Sequence, residues 1–240
     1  MCTVTYLPKG QIDYILTSNR DENVKRSKAL APKIEKIGNT EVLFPKDSSK
    51  NGTWVGVTNN NRTLCLLNGA FKKHTPTGNY IKSRGLIVLD FFKNISSQEL
   101  INNYNLNNIE PFTLIIIEVI DGVRLLTQLK WDGNIRYIKK LDSQASHIWS
   151  SSTLYNIEET LYKKAIFKQI ESSELSELNA DSIFRFHVYS TKKDPDLMKY
   201  INYSSPIETV STTQIVSNSE FATLKYKSFR EKKETTYKRN

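Results

Sequence analysis

The sequence of 240 residues has only two cysteines, Cys2 and Cys65, and no apolar run that approaches the roughly 18 residues needed to span a bilayer. So few cysteines in a chain of this length do not resemble the disulfide framework of a small secreted protein. The first residues also lack the basic segment, apolar stretch and small-residue cleavage site of a secretory signal. We therefore expect a cytoplasmic protein with reduced thiols and no integral membrane segment.

Patterns for metal, nucleotide and RNA binding are absent as well. The three histidines, His74, His147 and His187, are far apart in the sequence, and no zinc-ligand spacing, glycine-rich phosphate loop or RNA-binding aromatic signature accompanies them. These absences predict no metal site.

The net charge of +9 is the one compositional feature that suggests a nucleic-acid partner. The densest basic stretch is Leu224–Asn240, and its outer part alternates Glu with Lys in the manner of a solvated or frayed terminus. We therefore predict no nucleic-acid partner, and a basic, frayed C-terminal tail from about residue 230.

Length and patterning favour one domain over residues 1–240. The apolar share is 38%, and its members fall in bounded runs that can form a sizeable core. The first half predicts five strands separated by turn-forming residues: Cys2–Leu7, Ile12–Thr17, Glu41–Phe44, Thr53–Val57 and Thr63–Leu67. The polar cluster Ser18–Glu22 is expected to close the second strand.

From residue 80 the apolar period changes to that of helices and then returns to strands. The predicted helices are Ile81–Asn94, Ser97–Tyr104 and Ile157–Ser172, whereas Ala180–Tyr189 is ambiguous. The predicted strands are Phe112–Ile120, Val123–Trp131, Ile135–Ile138, His147–Ser152, Thr212–Ser217 and Ala222–Phe229. This order predicts an α+β fold of two stacked antiparallel sheets between helical layers, with the strand order left open.

Cys2 is the most informative single residue. Removal of Met1 would leave a thiol and a free α-amine on the same residue, and an amine of pKa about 7.7–8.0 can accept the proton of a thiol of pKa about 8.5. No separate catalytic histidine is then required. Cys65 lies within an apolar run and is expected in the core.

Several segments together resemble the NRDE family, also called the Transport and Golgi organisation type. The matching residues are MCTVTYLPKG, Asn19–Glu22 (NRDE), Phe44–Asp47 leading into Asn51–Val57 (NGTWVGV), Leu66–Gly69 (LLNG) and Ser83–Gly85 (SRG). The resemblance extends to the cysteine branch of the N-terminal-nucleophile hydrolases and implies a four-layer αββα fold in which the first residue attacks an amide.

The resemblance also implies roles for particular residues. Arg20 and Asp21 stand where the family orients the nucleophile and its amine, and Asn68 stands where it stabilises the oxyanion, a contribution of about 10²–10³ in rate in other hydrolases. Trp54 and Ser151 are candidate substrate-binding residues, although Trp54 also suits a core. Two positions depart from the family pattern: Ser151 replaces an expected Asn, and Val210 replaces an expected Arg.

Two hypotheses therefore stay open. The first is an amidohydrolase with Cys2 as nucleophile that cleaves a non-peptide C–N bond of a small acylated molecule and needs no cofactor. The second is a family member that has lost turnover and binds or transports haem or lipid, which the departures at Ser151 and Val210 favour. The sequence does not indicate the substrate or the oligomeric state.

Overall fold

The structure is a computed structural model that describes residues 3–59, 62–93, 96–172, 178–189 and 207–239. Within these ranges the chain forms strands β1 Thr3–Lys9, β2 Asp13–Asn23, β3 Ala29–Ile37, β4 Thr40–Asp47, β5 Val55–Thr58, β6 Thr63–Asn68, β7 Phe112–Ile120, β8 Val123–Trp131, β9 Arg136–Leu141, β10 His147–Ser150, β11 Ile207–Ser217, β12 Ala222–Ser228 and β13 Lys233–Arg239. The helices of the same ranges are α1 Arg84–Phe92, α2 Gln98–Asn103, α3 Ile157–Ser172 and α4 Ala180–Tyr189.

The strands form two antiparallel sheets. Sheet A has the order β10-β1-β2-β11-β12-β13, and sheet B has the order β3-β4-β5-β6-β7-β8-β9. Sheet B follows the chain order apart from its helical insertion, because short turns join neighbouring antiparallel strands. In sheet A, by contrast, β11 pairs with β2 across almost the whole chain.

Three apolar clusters separate four layers. The inner cluster lies between the sheets and includes Val4, Leu16 and Cys65. A second cluster joins sheet B to α1 and α2, and the third joins Leu7 and Ile15 of sheet A to α3 and α4. This arrangement is the predicted αββα sandwich, since each sheet hides both faces and each helix hides one stripe.

Two glycines of the matched segments hold α1 against the strand region. A Cβ on Gly52 would collide with the backbone of Gly85, and the amide of Thr53 donates to the carbonyl oxygen of Gly85 over 3.1 Å. Only residues without side chains permit this approach. The NGTW and SRG segments are therefore structural partners.

The predicted end of the second strand is wrong. Ser18–Glu22 does not close β2 but continues it to Asn23, and Ser18, Asn19, Arg20 and Asp21 are buried. Pairing with β11, close to two hundred residues later, extends the strand. Local polarity predicted a turn because that distant partner is not visible in the local pattern.

Other boundaries also changed. The segment expected to be merely extended around Pro32 is β3, the ambiguous segment Ala180–Tyr189 is a helix, and β11 begins five residues before the predicted Thr212. The tail expected to fray from about residue 230 instead forms β13, which pairs with β12 from Ala222–Arg239 to Ser228–Lys233. Its alternating charges suit an edge strand.

None of the helices in the described part of the chain is both long enough and apolar enough to cross a membrane.

Candidate functional site

The candidate site lies where the described chain begins. Cys2 itself is outside the described residues, and the first residue of β1 is Thr3. This strand has a neighbour on each side: Thr3 pairs with Ser150 of β10, and Val4 pairs with both Trp149 of β10 and Ser18 of β2. The start of β1 is thus enclosed within sheet A.

Arg20 is a buried cation of β2. Its guanidinium donates to an Asp47 carboxylate oxygen over 2.9 Å, and it lies 4.8 Å from the centroid of the Trp54 ring. Asp47 also accepts from Arg26 and from the backbone amides of Ser49 and Lys50. Burial opposes ionisation, but Arg26, the Lys50 amide and Arg20 together hold the pKa of Asp47 below its usual range. The Asp47 carboxylate therefore stays charged.

Asp21, the next residue, enters a different network. One carboxylate oxygen accepts from the Tyr155 hydroxyl over 2.8 Å, and the other accepts from the hydroxyl of Thr209. The β2–β11 register shifts between Thr209 and Ser211, so that Val210 lies at a bulge, where it is buried. The bulge brings the Thr209 hydroxyl to Asp21.

Arg20 and Asp21 serve opposite faces of sheet A. Along β2, Tyr14 and Leu16 belong to the cluster between the sheets, whereas Ile15 belongs to the cluster under α3 and α4. Side chains alternate in a strand, and their contacts follow this alternation: Arg20 reaches Asp47 of sheet B, and Asp21 reaches Tyr155 just before α3. Arg20 thus links sheet A to sheet B, and Asp21 links sheet A to the helical layer.

Asn68 and Ser151 are brought together. The Ser151 hydroxyl donates to the main-chain carbonyl oxygen of Asn68 over 2.8 Å, and it also contacts the Thr153 hydroxyl at 2.9 Å. Gly69 has φ +80°, and a Cβ there would collide with Ser152 and Thr153. The Asn68-Gly69 turn therefore packs directly on the segment that follows β10.

The alternation of side chains along β6 indicates the direction of the Asn68 side chain. Within β6, Cys65 and Leu67 face the inner cluster, whereas Leu64 and Leu66 face α1 and α2. Regular alternation assigns Asn68 to the second face, and the left-handed turn at Gly69 comes directly after it. The oxyanion role of its side-chain amide stays a prediction.

Trp54 and Cys65 belong to the interior. Trp54 is buried in the inner cluster under Arg20, which is the core role that the sequence allowed for it. Burial raises the pKa of Cys65 to about 12, so that its thiol is a poor nucleophile at neutral pH.

Sequence reasoning missed four contributors: Asp47, Tyr155, Thr209 and Lys163. Asp47 was within the matched segment Phe44–Asp47, which was a usable signal. The other three lie more than 130 residues from β2 in the sequence, and no local pattern marked them. Lys163 is buried on α3 and donates to the Thr3 hydroxyl over 3.0 Å.

Comparison with solved structures identifies the class of fold as that of the N-terminal-nucleophile hydrolases. An N-acylethanolamine-hydrolyzing acid amidase ortholog from Caenorhabditis elegans is 12% identical, with TM-score 0.59 over 91% of this chain and 95% of its own. An arginine-to-leucine variant of a conjugated bile acid hydrolase from Clostridium perfringens is also 12% identical, with TM-score 0.53 over 98% of this chain and 92% of its own. At this identity the likeness shows the fold.

The chain belongs to the Transport and Golgi organisation 2 family, whose model matches residues 1–236. This match confirms the family predicted from the NRDE and accompanying segments. A search of curated proteins finds no match.

Proposed function

We propose that this protein is an amidohydrolase with an N-terminal cysteine nucleophile that cleaves a linear, non-peptide amide bond of a small acylated molecule. The observation that carries the proposal is the position of the start of β1, between two strands that present the predicted site residues. The hydrolase-like fold supports it, because the two similar structures are named as an amidase and a bile acid hydrolase.

The strand registers give the proposal its geometry. Thr3 pairs with Ser150 on one side, and Val4 pairs with Ser18 on the other. Beyond these pairs, β2 continues with Arg20 and the chain after β10 continues with Ser151, and both residues are buried. The start of β1 therefore has a buried cation along β2 and the Asn68-linked hydroxyl after β10.

Arg20 would assist the nucleophile electrostatically. A nearby positive charge favours a thiolate over a thiol and disfavours protonation of an amine. The first effect activates the thiol, and the second keeps the α-amine of Cys2 available as a base. Asp47 and Trp54 hold the guanidinium in place, so its position does not depend on substrate.

The reaction would proceed in two halves. The Cys2 thiolate attacks the amide carbonyl carbon, and Asn68 with a backbone N–H stabilises the oxyanion. The protonated α-amine then gives its proton to the leaving nitrogen as the C–N bond breaks, which leaves a thioester on Cys2. Water, deprotonated by the same amine, hydrolyses the thioester and releases the acid. These steps use no metal or organic cofactor.

Two mass measurements test this function. The intact mass should show loss of Met1, and an amide- or ester-based acylating probe should modify Cys2 at neutral pH while Cys65 stays unmodified. Cys65 is the internal control because burial raises the pKa of its thiol to about 12. Retention of Met1 would exclude the mechanism, since the required base would then be part of a peptide bond.

A second function, binding or transport of lipid or haem without turnover, is favoured by two observations. The Ser151 hydroxyl donates to the Asn68 carbonyl oxygen, and Val210 supplies no charge at the bulge. A hydroxyl so engaged is a weaker aid to an oxyanion than the amide of an Asn.

Haem does not fit the histidines of the described residues. His74 pairs with Glu110, His147 bonds the carbonyl oxygen of Asp142, and His187 is fully buried. A haem titration with no saturable absorption shift, together with Cys2 acylation, would support the hydrolase; a saturable shift without acylation would favour the binding protein.

A further inference from the structure

Lys163 is a buried lysine whose contact is one residue away from the proposed nucleophile. It is 3% exposed, although its helix α3 presents the adjacent Lys164 to solvent. Lysine is rarely buried without a specific electrostatic environment, because its ammonium group loses hydration. The position therefore calls for a physical explanation.

The contacts of Lys163 connect three elements of the site. Its ammonium group donates to the Thr3 hydroxyl over 3.0 Å and lies 4.0 Å from the centroid of the Tyr155 ring. The Tyr155 hydroxyl in turn donates to Asp21 over 2.8 Å. A cation over an aromatic face is attracted by the ring quadrupole, and the attraction is stronger when the pair is desolvated. The ring and the carboxylate behind it thus hold the cation beside Thr3.

The positive charge of Lys163 also affects His187 on the neighbouring helix α4. Burial is the larger cause of the low pKa of His187, and the positive charge of Lys163 lowers it further. Among the described residues, the charged and titratable groups of this region include Arg20 and Asp21 of β2, Tyr155, Glu159 and Lys163 at α3, and His187 of α4. Between the sheets Asp47 pairs with Arg20, whereas Lys163 lies on the helical side.

We infer that Lys163 is a positioning residue of the proposed hydrolase: it holds the start of β1 through Thr3, and its positive charge, bound one residue along the chain from Cys2, acts electrostatically on the ionisation of that residue. The inference rests on the proposed function. Such a charge disfavours the protonated amine and favours the thiolate. Val210, at the bulge of β11, carries no charge, whereas Lys163 of α3 does.

The pH dependence of Cys2 alkylation tests this role without requiring a substrate. The rate of reaction with iodoacetamide is followed by peptide mass from pH 5 to 9 in the full chain. In Lys163→Met and Lys163→Gln the midpoint for Cys2 should rise by about one pH unit, which slows alkylation roughly tenfold below the midpoint. Lys163→Arg should keep the wild-type midpoint.

The variants separate charge from structure. The glutamine side chain introduced by Lys163→Gln can still donate to Thr3 without a charge, so this is the decisive variant if Lys163→Met does not fold. Lys164→Met is the matched control, because Lys164 is the exposed neighbour on the same helix, and it should leave the midpoint unchanged.

The outcomes are distinguishable. A wild-type midpoint in Lys163→Gln, with Cys2 alkylated normally, would overturn the role of Lys163 and leave the proposed hydrolase standing. A wild-type chain that retains Met1, or whose Cys2 does not react, would overturn both.

Discussion

The centres of the two sheets are built from opposite kinds of residue. In sheet B, the buried residues of β6 and β7 are mostly apolar, among them Leu64, Leu66, Leu114, Ile115 and Ile116. In sheet A, the buried residues of β2 and β11 are largely polar or charged: Thr17, Ser18, Asn19, Arg20, Asp21, Ser211, Thr212, Thr213 and Gln214. The same fold thus has an apolar scaffold and a polar centre.

The polar centre depends on specific partners. Asn19 accepts from the Thr212 hydroxyl over 3.0 Å, and the Gln214 amide donates to the Thr17 hydroxyl over 3.0 Å and to the Ala180 carbonyl oxygen over 2.8 Å. A buried polar group without a partner costs about 1–3 kcal/mol, so such a centre is stable only in one arrangement. Sheet B is thus an apolar scaffold, whereas hydrogen bonds and ion pairs hold the side chains of the polar centre of sheet A in fixed positions.

The largest expected effect comes from removing the partner of Arg20. Asp47→Ala leaves a buried guanidinium without its carboxylate, and we expect the free energy of unfolding to fall by about 3–5 kcal/mol. Urea denaturation measures the change. The matched control is Glu35→Ala, which breaks the more exposed Lys46–Glu35 pair and should cost less than about 1 kcal/mol. Equal losses of unfolding free energy in the two variants would mean that the Arg20–Asp47 ion pair stabilises the fold no more than the exposed pair does.

A cavity in sheet B should affect stability alone. Leu114 is fully buried among the residues that join β7 to α1 and α2, and Leu114→Ala should lower the free energy of unfolding by about 2.7–5.0 kcal/mol. Cys2 alkylation should keep its wild-type rate and pH midpoint at a temperature where the variant is folded. A changed midpoint would contradict the separation between scaffold and site.

The scaffold was largely predictable from the sequence, because its signals are local. Strands β7 and β8 were predicted at their observed bounds, because Asp121-Gly122 is a strong hairpin-turn signal. The two residues indeed adopt the positive φ values, 51° and 73°, of a two-residue hairpin turn. Helix α3 was likewise predicted at its observed bounds from its apolar spacing. The strand order of sheet A was not predictable, because β11 closes it from the far end of the chain.

The polar centre was only partly predictable. Arg20 and Asp21 were found by resemblance, but the local pattern placed them in a turn, and only pairing with β11 explains their burial. Tyr155 and Lys163 gave no signal, since a tyrosine before a helix and a lysine on a charged helix are ordinary surface patterns. Their function depends on contacts across the fold.

The next expected effect concerns rate rather than stability. If the Asn68 side chain stabilises the oxyanion, Asn68→Ala should slow acylation of Cys2 about 10²–10³-fold, equivalent to about 2.7–4 kcal/mol, with the unfolding midpoint unchanged. The probe assay of Cys2 measures the rate. Iodoacetamide alkylation, which forms no oxyanion, is the control and should not change. An unaltered acylation rate would remove Asn68 from the mechanism and agree with the outward direction that strand alternation assigns to it.

The smallest expected effect is a pH dependence of the free energy of unfolding that arises from the polar centre and not from the apolar scaffold. His187 is fully buried under sheet A, where its Nε2 lies 2.8 Å from the Thr5 hydroxyl and its Nδ1 lies 3.1 Å from Asn19 Oδ1. Because Asn19 Oδ1 only accepts, Nδ1 carries the proton and Nε2 accepts from Thr5 in the neutral tautomer. Burial, with the charge of Lys163, lowers the pKa of His187 to about 3.

The sign of the pH effect follows from this lowered pKa. In the unfolded chain His187 has a pKa of about 6.5, so below that pH the unfolded state binds a proton that the folded state does not. The contribution of His187 to folding stability is therefore complete well above a pH of about 6.5 and is lost as the pH falls, by about 1 kcal/mol between about pH 6.5 and 5.5. Urea denaturation at both values should show this loss in the wild type, in Leu114→Ala and in His147→Gln, but not in His187→Gln. Persistence of the full loss in His187→Gln would show that other groups cause it, and the polar centre would then be no more sensitive to acid than the apolar scaffold.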